Sequence, residues 1–210
     1  MIRLLLVDDH TIFRQGLKRL LAEQEGFNVV AEANDASEAL RRLREQEFDV
    51  ALLDVNMPGR SGLEMLPSFR AERPALPIVV LSMYPAEQYA LRAFQSGAAG
   101  YVTKDMDAGE LADSIRKVAR GGRYMTAAVV DQLLEGKDRA TNTAPHKQLS
   151  SREYEIMLLI VRGTRLTDIG QQMYLSVKTV STYRARILRK IGVTSNAELA
   201  RYALQQRLID

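Results

Sequence analysis

No cysteine occurs anywhere in the 210 residues, which excludes disulfides, thiolate zinc sites and cysteine nucleophiles. Only two histidines are present, His10 and His146, so little is left for a histidine-based metal site. No apolar run approaches the roughly 18 residues of a membrane span. The amino terminus also lacks the basic start, apolar core and cleavage site of a signal peptide. A cytoplasmic chain without membrane association is expected, and any chemistry in it must rest on carboxylates, hydroxyls and lysines. What is present is ordinary globular composition, 46% apolar and 26% charged, over a length of one or two domains of about 100–200 residues.

Charge divides the chain. Residues 1–146 hold 18 Lys/Arg against 21 Asp/Glu, whereas residues 147–210 hold 11 against 5. No acid lies between Asp168 and Glu198, a stretch that contains Lys178, Arg184, Arg186, Arg189 and Lys190. Such a segment fits a polyanion partner, although a solvated helix face has the same composition. Between the halves, Gly121-Gly122 and the polar run from Gly136 to Pro145 read as a linker. Helical spacing over residues 127–134 predicts a short helix within it. The expected division is therefore a first domain over 1–120, a linker over 121–147 and a second domain over 148–210.

In the first part, apolar runs at 2–7, 27–31, 50–53, 78–81 and 99–102 alternate with longer amphipathic stretches. Five strands separated by helices predict a parallel sheet covered on both faces. Right-handed crossovers make this an α/β, flavodoxin-like, doubly wound fold. Functional groups in such a sheet gather at the carboxyl ends of its strands. That rule selects Asp8 and Asp9 after strand one, Asp54 after strand three, Ser82 after strand four, and Thr103-Lys104 after strand five. Three carboxylates held close need a counter-charge, and surroundings of oxygen donors without His or Cys favour a hard cation such as Mg²⁺. Lys104 is placed to neutralise more of the charge or to hold an incoming phosphoryl oxygen, and Ser82 to donate a hydrogen bond to it, which makes this a site for phosphate on a carboxylate.

The first 120 residues resemble a two-component receiver domain. The resemblance is carried by Leu6-Val7-Asp8-Asp9-His10, the run from Leu53-Asp54-Val55-Asn56 through Met57-Pro58-Gly59-Arg60-Ser61-Gly62, Leu81-Ser82, and Gly97 through Lys104. It implies that Asp54 accepts a phosphoryl group from a histidine kinase. It also implies that Asp8, Asp9, Asp54 and the backbone carbonyl of Asn56 bind Mg²⁺. By the same matching, Ser82 and Lys104 bind the phosphoryl oxygens, and Tyr101 is an aromatic switch that moves inward with Ser82. The chain departs from many receivers at Asp105, which follows Lys104 in place of Pro, at Ser82 in place of Thr, and at Met83, which is larger than usual.

After the linker, Ser150 and Glu153 form a capping box ahead of the apolar stripe Ile156, Leu159, Ile160. Gly163 ends that helix, residues 166–173 form a short one, and Ser176 caps the next. Two helices joined by a short turn predict a helix-turn-helix in a small all-α domain. On a wheel of residues 177–191, Val177, Val180, Tyr183, Ile187, Leu188 and Ile191 face inward. Lys178, Ser181, Thr182, Ala185, Arg186 and Arg189 face outward, a small, polar and cationic surface suited to a DNA groove. The wheel turns Arg184 toward the buried side, where it snorkels or pairs with an acid.

This part is similar to the LuxR-type helix-turn-helix domains of NarL/FixJ response regulators. The matching pieces are Leu149-Ser150-x-Arg152-Glu153, Ser176 through Val180, Lys190 through Val193, and Ala197-Glu198-Leu199. The resemblance implies a recognition helix from Val177 to about Lys190, with Thr179 joining the outward set as a DNA contact. It further implies a last helix near 195–206 that pairs two DNA-binding domains. Departures are Tyr183, Arg184 and Gly170.

Taken together, these features predict a response regulator and transcription factor. Its phosphorylation at Asp54 favours a homodimer or releases the recognition helix, and it binds double-stranded promoter DNA without being an enzyme. An aspartyl phosphatase needs a second Asp two positions after its nucleophile, and His10 stands at that spacing from Asp8. A regulator working by protein contact without phosphate is the remaining alternative, and the complete acidic set argues against it.

Overall fold

Branched apolar residues cluster in short runs that cannot bury both faces unless helices cover them, and the chain does this by alternation. The computed structural model describes residues 1–57, 62–83, 86–126, 129–130, 144–206 and 208–209. Its contacts divide the chain into two units, Met1–Gly136 and Lys137–Asp210.

The first unit contains β1 (Ile2–Val7), α1 (Thr11–Ala22), β2 (Phe27–Ala33), α2 (Ala36–Glu45), β3 (Val50–Asp54), α3 (Gly62–Glu72), β4 (Ile78–Ser82), α4 (Ala86–Gln95), β5 (Gly100–Thr103) and α5 (Ala108–Ala119). The strands form one parallel sheet in the order β2-β1-β3-β4-β5, the doubly wound arrangement expected from the alternation. β3 and β4 are buried at every position, as central strands with both faces covered must be. The edge strand β2 is only partly buried.

Leu4, Leu6, Leu52, Val79, Leu81 and Val102 pack on one face with Leu17 and Leu21 of α1 and Leu111, Ile115 and Val118 of α5. Each such side chain contributes about 1.5–3 kcal/mol by leaving water. Asp35 and Asp107 cap α2 and α5 by accepting the N–H of Glu38 at 2.8 Å and of Glu110 at 2.9 Å, each satisfying an orphan donor of the first turn. Past α5 the chain stays on the sheet: the Tyr124 N–H donates to the Ala99 carbonyl at 3.0 Å. Of the helix expected over 127–134, Val129 and Val130 are helical. Residues 127–128 and 131–134 lie outside the described residues.

The second unit contains α6 (Ser151–Val161), α7 (Leu166–Gln172), α8 (Val177–Ile191) and α9 (Asn196–Gln205), preceded by a 3-10 turn over Pro145–Gln148. The capping box is present. Ser150 Oγ accepts the Glu153 N–H at 3.2 Å, and Glu153 Oε2 accepts the Ser150 N–H at 2.7 Å. Residues 152–160 of α6 are all buried, so this helix is the core around which the others pack. Gly163, at φ +83°, ends its last turn, and Gly192, at φ +79°, ends α8. Both left-handed positions suit a residue without Cβ.

The wheel is corrected at two places. Val177, expected inside, is 46% exposed, because as the first residue of α8 it has no preceding turn to cover it. Arg184 is half-buried as expected, yet its partner is an amide rather than an acid: Nε donates to Asn196 Oδ1 at 2.7 Å, tying α8 to the first turn of α9.

Candidate functional site

The order β2-β1-β3 makes the chain leave β1 in one direction and return on its other side, so a crevice opens where β1 and β3 end side by side. Asp8 follows β1 and is 2% exposed. Asp54 is the last residue of β3 and fully buried, and Ser82 is the last residue of β4 and equally buried. Lys104 follows β5 with its side chain 6% exposed. Backbone bonds fix these ends. The Val55 N–H donates to the Leu81 carbonyl at 2.9 Å, and the Lys104 N–H to the Ser82 carbonyl at 2.7 Å.

Within the crevice, Lys104 Nζ lies 2.7 Å from Asp8 Oδ2 and 3.0 Å from Asp54 Oδ2. One ammonium therefore serves two buried carboxylates. Its position is set from below by Phe13 of α1, whose ring centroid is 4.3 Å from Nζ, a favourable cation–π contact. Burial first, and the charge of Asp8 second, raise the Asp54 carboxyl from 3.8 to about 6, against the opposing pull of Lys104 and the Asn56 N–H. Among the described residues the buried oxygens of Asp54 meet the Lys104 ammonium and the Asn56 N–H, and Oδ1 of Asp9 meets the His10 ring. Buried carboxylates that share a single ammonium fit a further cation or a phosphoryl group.

One expectation about this cluster is corrected. The donors are not oxygen alone. His10 Nδ1 sits 2.9 Å from Asp9 Oδ1, 3.3 Å from Asp8 Oδ1 and 3.9 Å from Asp54 Oδ2. Asp8, Asp9, His10 and Asp54 each offer an atom within 4.8 Å of the others, a grouping that could hold a metal ion. Spacing concealed this, because His10 reads equally well as the residue that enters α1.

The remaining predicted residues fall as follows. Asn56 is half-buried two positions after Asp54, ahead of residues 58–61, which lie outside the described residues. Tyr101 is 2% exposed and points into the domain. Met83 is 68% exposed. Gly62 opens α3 against the site: a Cβ there would lie 2.0 Å from the Asp54 carbonyl oxygen and 3.0 Å from Val55 Cα. Backbone is fixed on both sides, so Gly62→Ala is expected to cost about 3 kcal/mol in chemical denaturation.

The second candidate surface is α8. Lys178, Ser181, Thr182, Ala185, Arg186 and Arg189 are all exposed on it, while Thr179 is half-buried. Ser176 caps the helix by accepting the Thr179 N–H at 3.1 Å, and the two hydroxyls are 2.8 Å apart. At the other end, Lys190 is not on the outer face in function. Its Nζ lies 2.6 Å from Glu153 Oε2, which locks α8 to the capping box of α6. Burial alone would raise Glu153, but Lys190 and the Ser150 N–H hold it below the ordinary value.

Under this helix lies a buried pair that the spacing did not reveal. Arg152 Nη1 meets Glu155 Oε2 at 3.1 Å, and Nη2 donates to the Met173 carbonyl at 2.8 Å. The turn that follows carries Tyr174 at φ +54°. Gly170 sits close beneath it, where a Cβ would be 2.8 Å from the Leu175 carbonyl.

Comparison with known proteins identifies both domains. Residues 4–116 match the response regulator receiver domain, and residues 147–203 match the bacterial regulatory proteins of the luxR family. The chain is 38% identical over 211 residues to the response regulator GacA of Pseudomonas aeruginosa, covering 100% of this chain and 99% of that protein. It is 34% identical over 209 residues to the response regulator UvrY of Escherichia coli K12, covering 99% and 96%. Among solved structures, RcsB of Salmonella enterica serovar Typhimurium, bound to a promoter in the presence of the phosphomimetic BeF₃⁻, is similar with TM-score 0.58 and 26% identity, covering 96% of this chain and 97% of that one. With a receiver domain in one unit and a helix-turn-helix in the other, the chain belongs to the NarL/FixJ-type response regulators, which join a receiver domain to a LuxR-type helix-turn-helix.

Proposed function

We propose that Asp54 is the phosphoacceptor, that a sensor histidine kinase is the donor, and that the phosphorylated chain binds double-stranded promoter DNA as a homodimer. The observation that carries this reading is the single Lys104 ammonium held between the buried carboxylates of Asp8 and Asp54 where β1 and β3 end. Asp8, Asp9, Asp54 and the Asn56 carbonyl would hold Mg²⁺, which when bound offsets repulsion between the carboxylate and an incoming phosphoryl group. Asp54 is the nucleophile: one of its oxygens attacks phosphorus while the donor imidazole leaves. Lys104 and Ser82 then hold phosphoryl oxygens.

The new charge on Asp54 draws Lys104 from its contact with Asp8, and the bond from the Lys104 N–H to the Ser82 carbonyl makes the loops after β4 and β5 respond together. Tyr101, buried on β5 beside them, is the switch aromatic in this reading. The output is dimerisation or domain release. In the division proposed here the receiver spans 1–120, the linker 121–147 and the DNA-binding domain 148–210. This is a cytoplasmic signalling protein rather than an enzyme. Among the described residues no helix is long and apolar enough to cross a membrane.

On α8, Lys178, Thr179, Ser181, Thr182 and Ala185 approach the bases and nearby phosphates, while Arg186 and Arg189 bind phosphate. RcsB, a relative by fold and sequence, is seen bound to a promoter. The last helix, α9, presents Leu204 at 53% exposure, an apolar contact for a second copy. Arg186→Ala and Arg189→Ala are expected to weaken binding about equally across DNA sequences and each to lower the salt slope by about one. Lys178→Ala is expected to weaken it as well. Anisotropy titrations at several salt concentrations measure both effects. Light scattering with and without Mg²⁺ and beryllofluoride tests the switch: a shift from monomer toward dimer supports it, and unchanged mass with the mimic bound removes dimerisation from the reading.

A further inference from the structure

His10 stands in the acidic crevice without a task in the reading above. We infer that its imidazole is a nitrogen ligand of the metal site, which therefore takes late first-row divalent ions such as Co²⁺, Ni²⁺ or Zn²⁺ in addition to Mg²⁺. This rests on the reading of Asp8, Asp9 and Asp54 as a metal-binding set, and it deepens that reading by stating which metals the set accepts.

The spacing of the donor atoms carries the inference. In an octahedral shell with bonds near 2.1 Å, neighbouring donors are about 3 Å apart and opposite ones about 4 Å. His10 Nδ1 lies 2.9 Å from Asp9 Oδ1, 3.3 Å from Asp8 Oδ1 and 3.9 Å from Asp54 Oδ2, two neighbour distances and one near-opposite distance. Lys104 engages Asp8 through Oδ2, so the oxygen that faces His10 is the other one, while at Asp54 Lys104 and His10 face the same oxygen, Oδ2. Asp54 is fully buried, and its charge and that of Asp8 share the one Lys104 ammonium. A cation seated among these atoms would satisfy them.

His10 is also free to serve. Its backbone N–H is fixed on Asp8 Oδ1 at 2.7 Å, while its side chain makes no cap bond to α1 and is 55% exposed. Chemistry then decides which ions benefit. Imidazole nitrogen suits the late first-row ions, whose affinities rise toward the end of the row, whereas Mg²⁺ prefers oxygen and keeps water in its shell.

The test uses the untagged full chain and His10→Ala, with Co²⁺ and Mg²⁺ each added alone. His10→Ala is expected to lose Co²⁺ affinity at least about tenfold, the lower end of what losing even an outer partner costs a metal site. Mg²⁺ affinity by calorimetry should stay within about twofold. The wild-type Co²⁺ form should also show a paramagnetically shifted imidazole resonance that is missing from His10→Ala; the one other histidine, His146, remains in both. Equal Co²⁺ affinity, or bound Co²⁺ with no such resonance, overturns the inference and leaves the Mg²⁺ reading standing. Failure of the wild type to bind either ion overturns both.

Discussion

Asp54→Asn is expected to stabilise the metal-free protein at pH 7. The carboxyl of Asp54 is raised from 3.8 to about 6, so the folded state binds its proton more tightly than the unfolded chain does. Below about pH 4 both states carry the proton and the native preference is fully present. As pH rises through about 4 to 6 the unfolded chain has lost the proton while the folded one still holds it, and stability falls. Above that window the native state keeps an ionised carboxylate in a fully buried place, at a cost of about 2–3 kcal/mol. Asn removes the charge, and Lys104 retains Asp8 at 2.7 Å.

The variant should therefore melt several degrees higher at pH 7, with the advantage fading toward pH 4. Glu32, Glu153 and Glu198 are held below their ordinary values and act with the opposite sign, but they are common to both proteins. The quantity to read is thus the difference between wild type and variant, by calorimetry in chelator from pH 4 to 8. A variant less stable than wild type at pH 7 would refute this electrostatic account of the crevice.

Arg152→Met is expected to have the opposite effect on the second unit. Arg152 is 3% exposed and Glu155 is fully buried, and the guanidinium joins that carboxylate to the Met173 carbonyl at the entrance to the turn before α8. Removing one partner of a buried pair leaves a desolvated charge and costs about 3–5 kcal/mol. That is most of what a domain of about 60 residues has to spare. The unit should lose its cooperative transition or melt far lower, and DNA binding should vanish although Arg152 is not on the outer face of α8. Replacing both members with apolar residues should recover much of the loss, since a well-packed substitute for an ion pair is often neutral or better. Retention of wild-type stability in Arg152→Met, read by far-UV circular dichroism and calorimetry, would show that this pair is not what holds the turn.

The alternation of apolar runs and amphipathic stretches was enough to read the sheet, because a buried parallel strand has few other ways to look. The same logic placed Asp8, Asp54, Ser82 and Lys104 at one edge, since strand ends are where a doubly wound fold collects its side chains. Charge asymmetry and helical phase identified the outer face of α8. What stayed hidden depends on atoms that periodicity does not encode. His10 reads as a helix entry until its Nδ1 is seen among the carboxylates. Arg152 enters the sequence reading only as part of the Leu149-Ser150-x-Arg152-Glu153 match, because burial of an arginine requires knowing that Glu155 and the Met173 carbonyl meet it. Gly62 looks like a loop glycine until the Asp54 carbonyl is found where its Cβ would be. Val177 shows the limit of the wheel, which assigns a phase but not whether anything covers the end of a helix.

The central claim is that one phosphoryl group is held on Asp54 by its neighbours in the crevice. Intact-mass analysis after incubation with acetyl phosphate and Mg²⁺, followed by peptide mapping, tests it most directly. The predicted result is a single phosphoryl adduct on the peptide that carries Asp54 and none in Asp54→Asn. An adduct that persists in Asp54→Asn, or a wild-type protein that Mg²⁺ binds yet phosphate never labels, would contradict it.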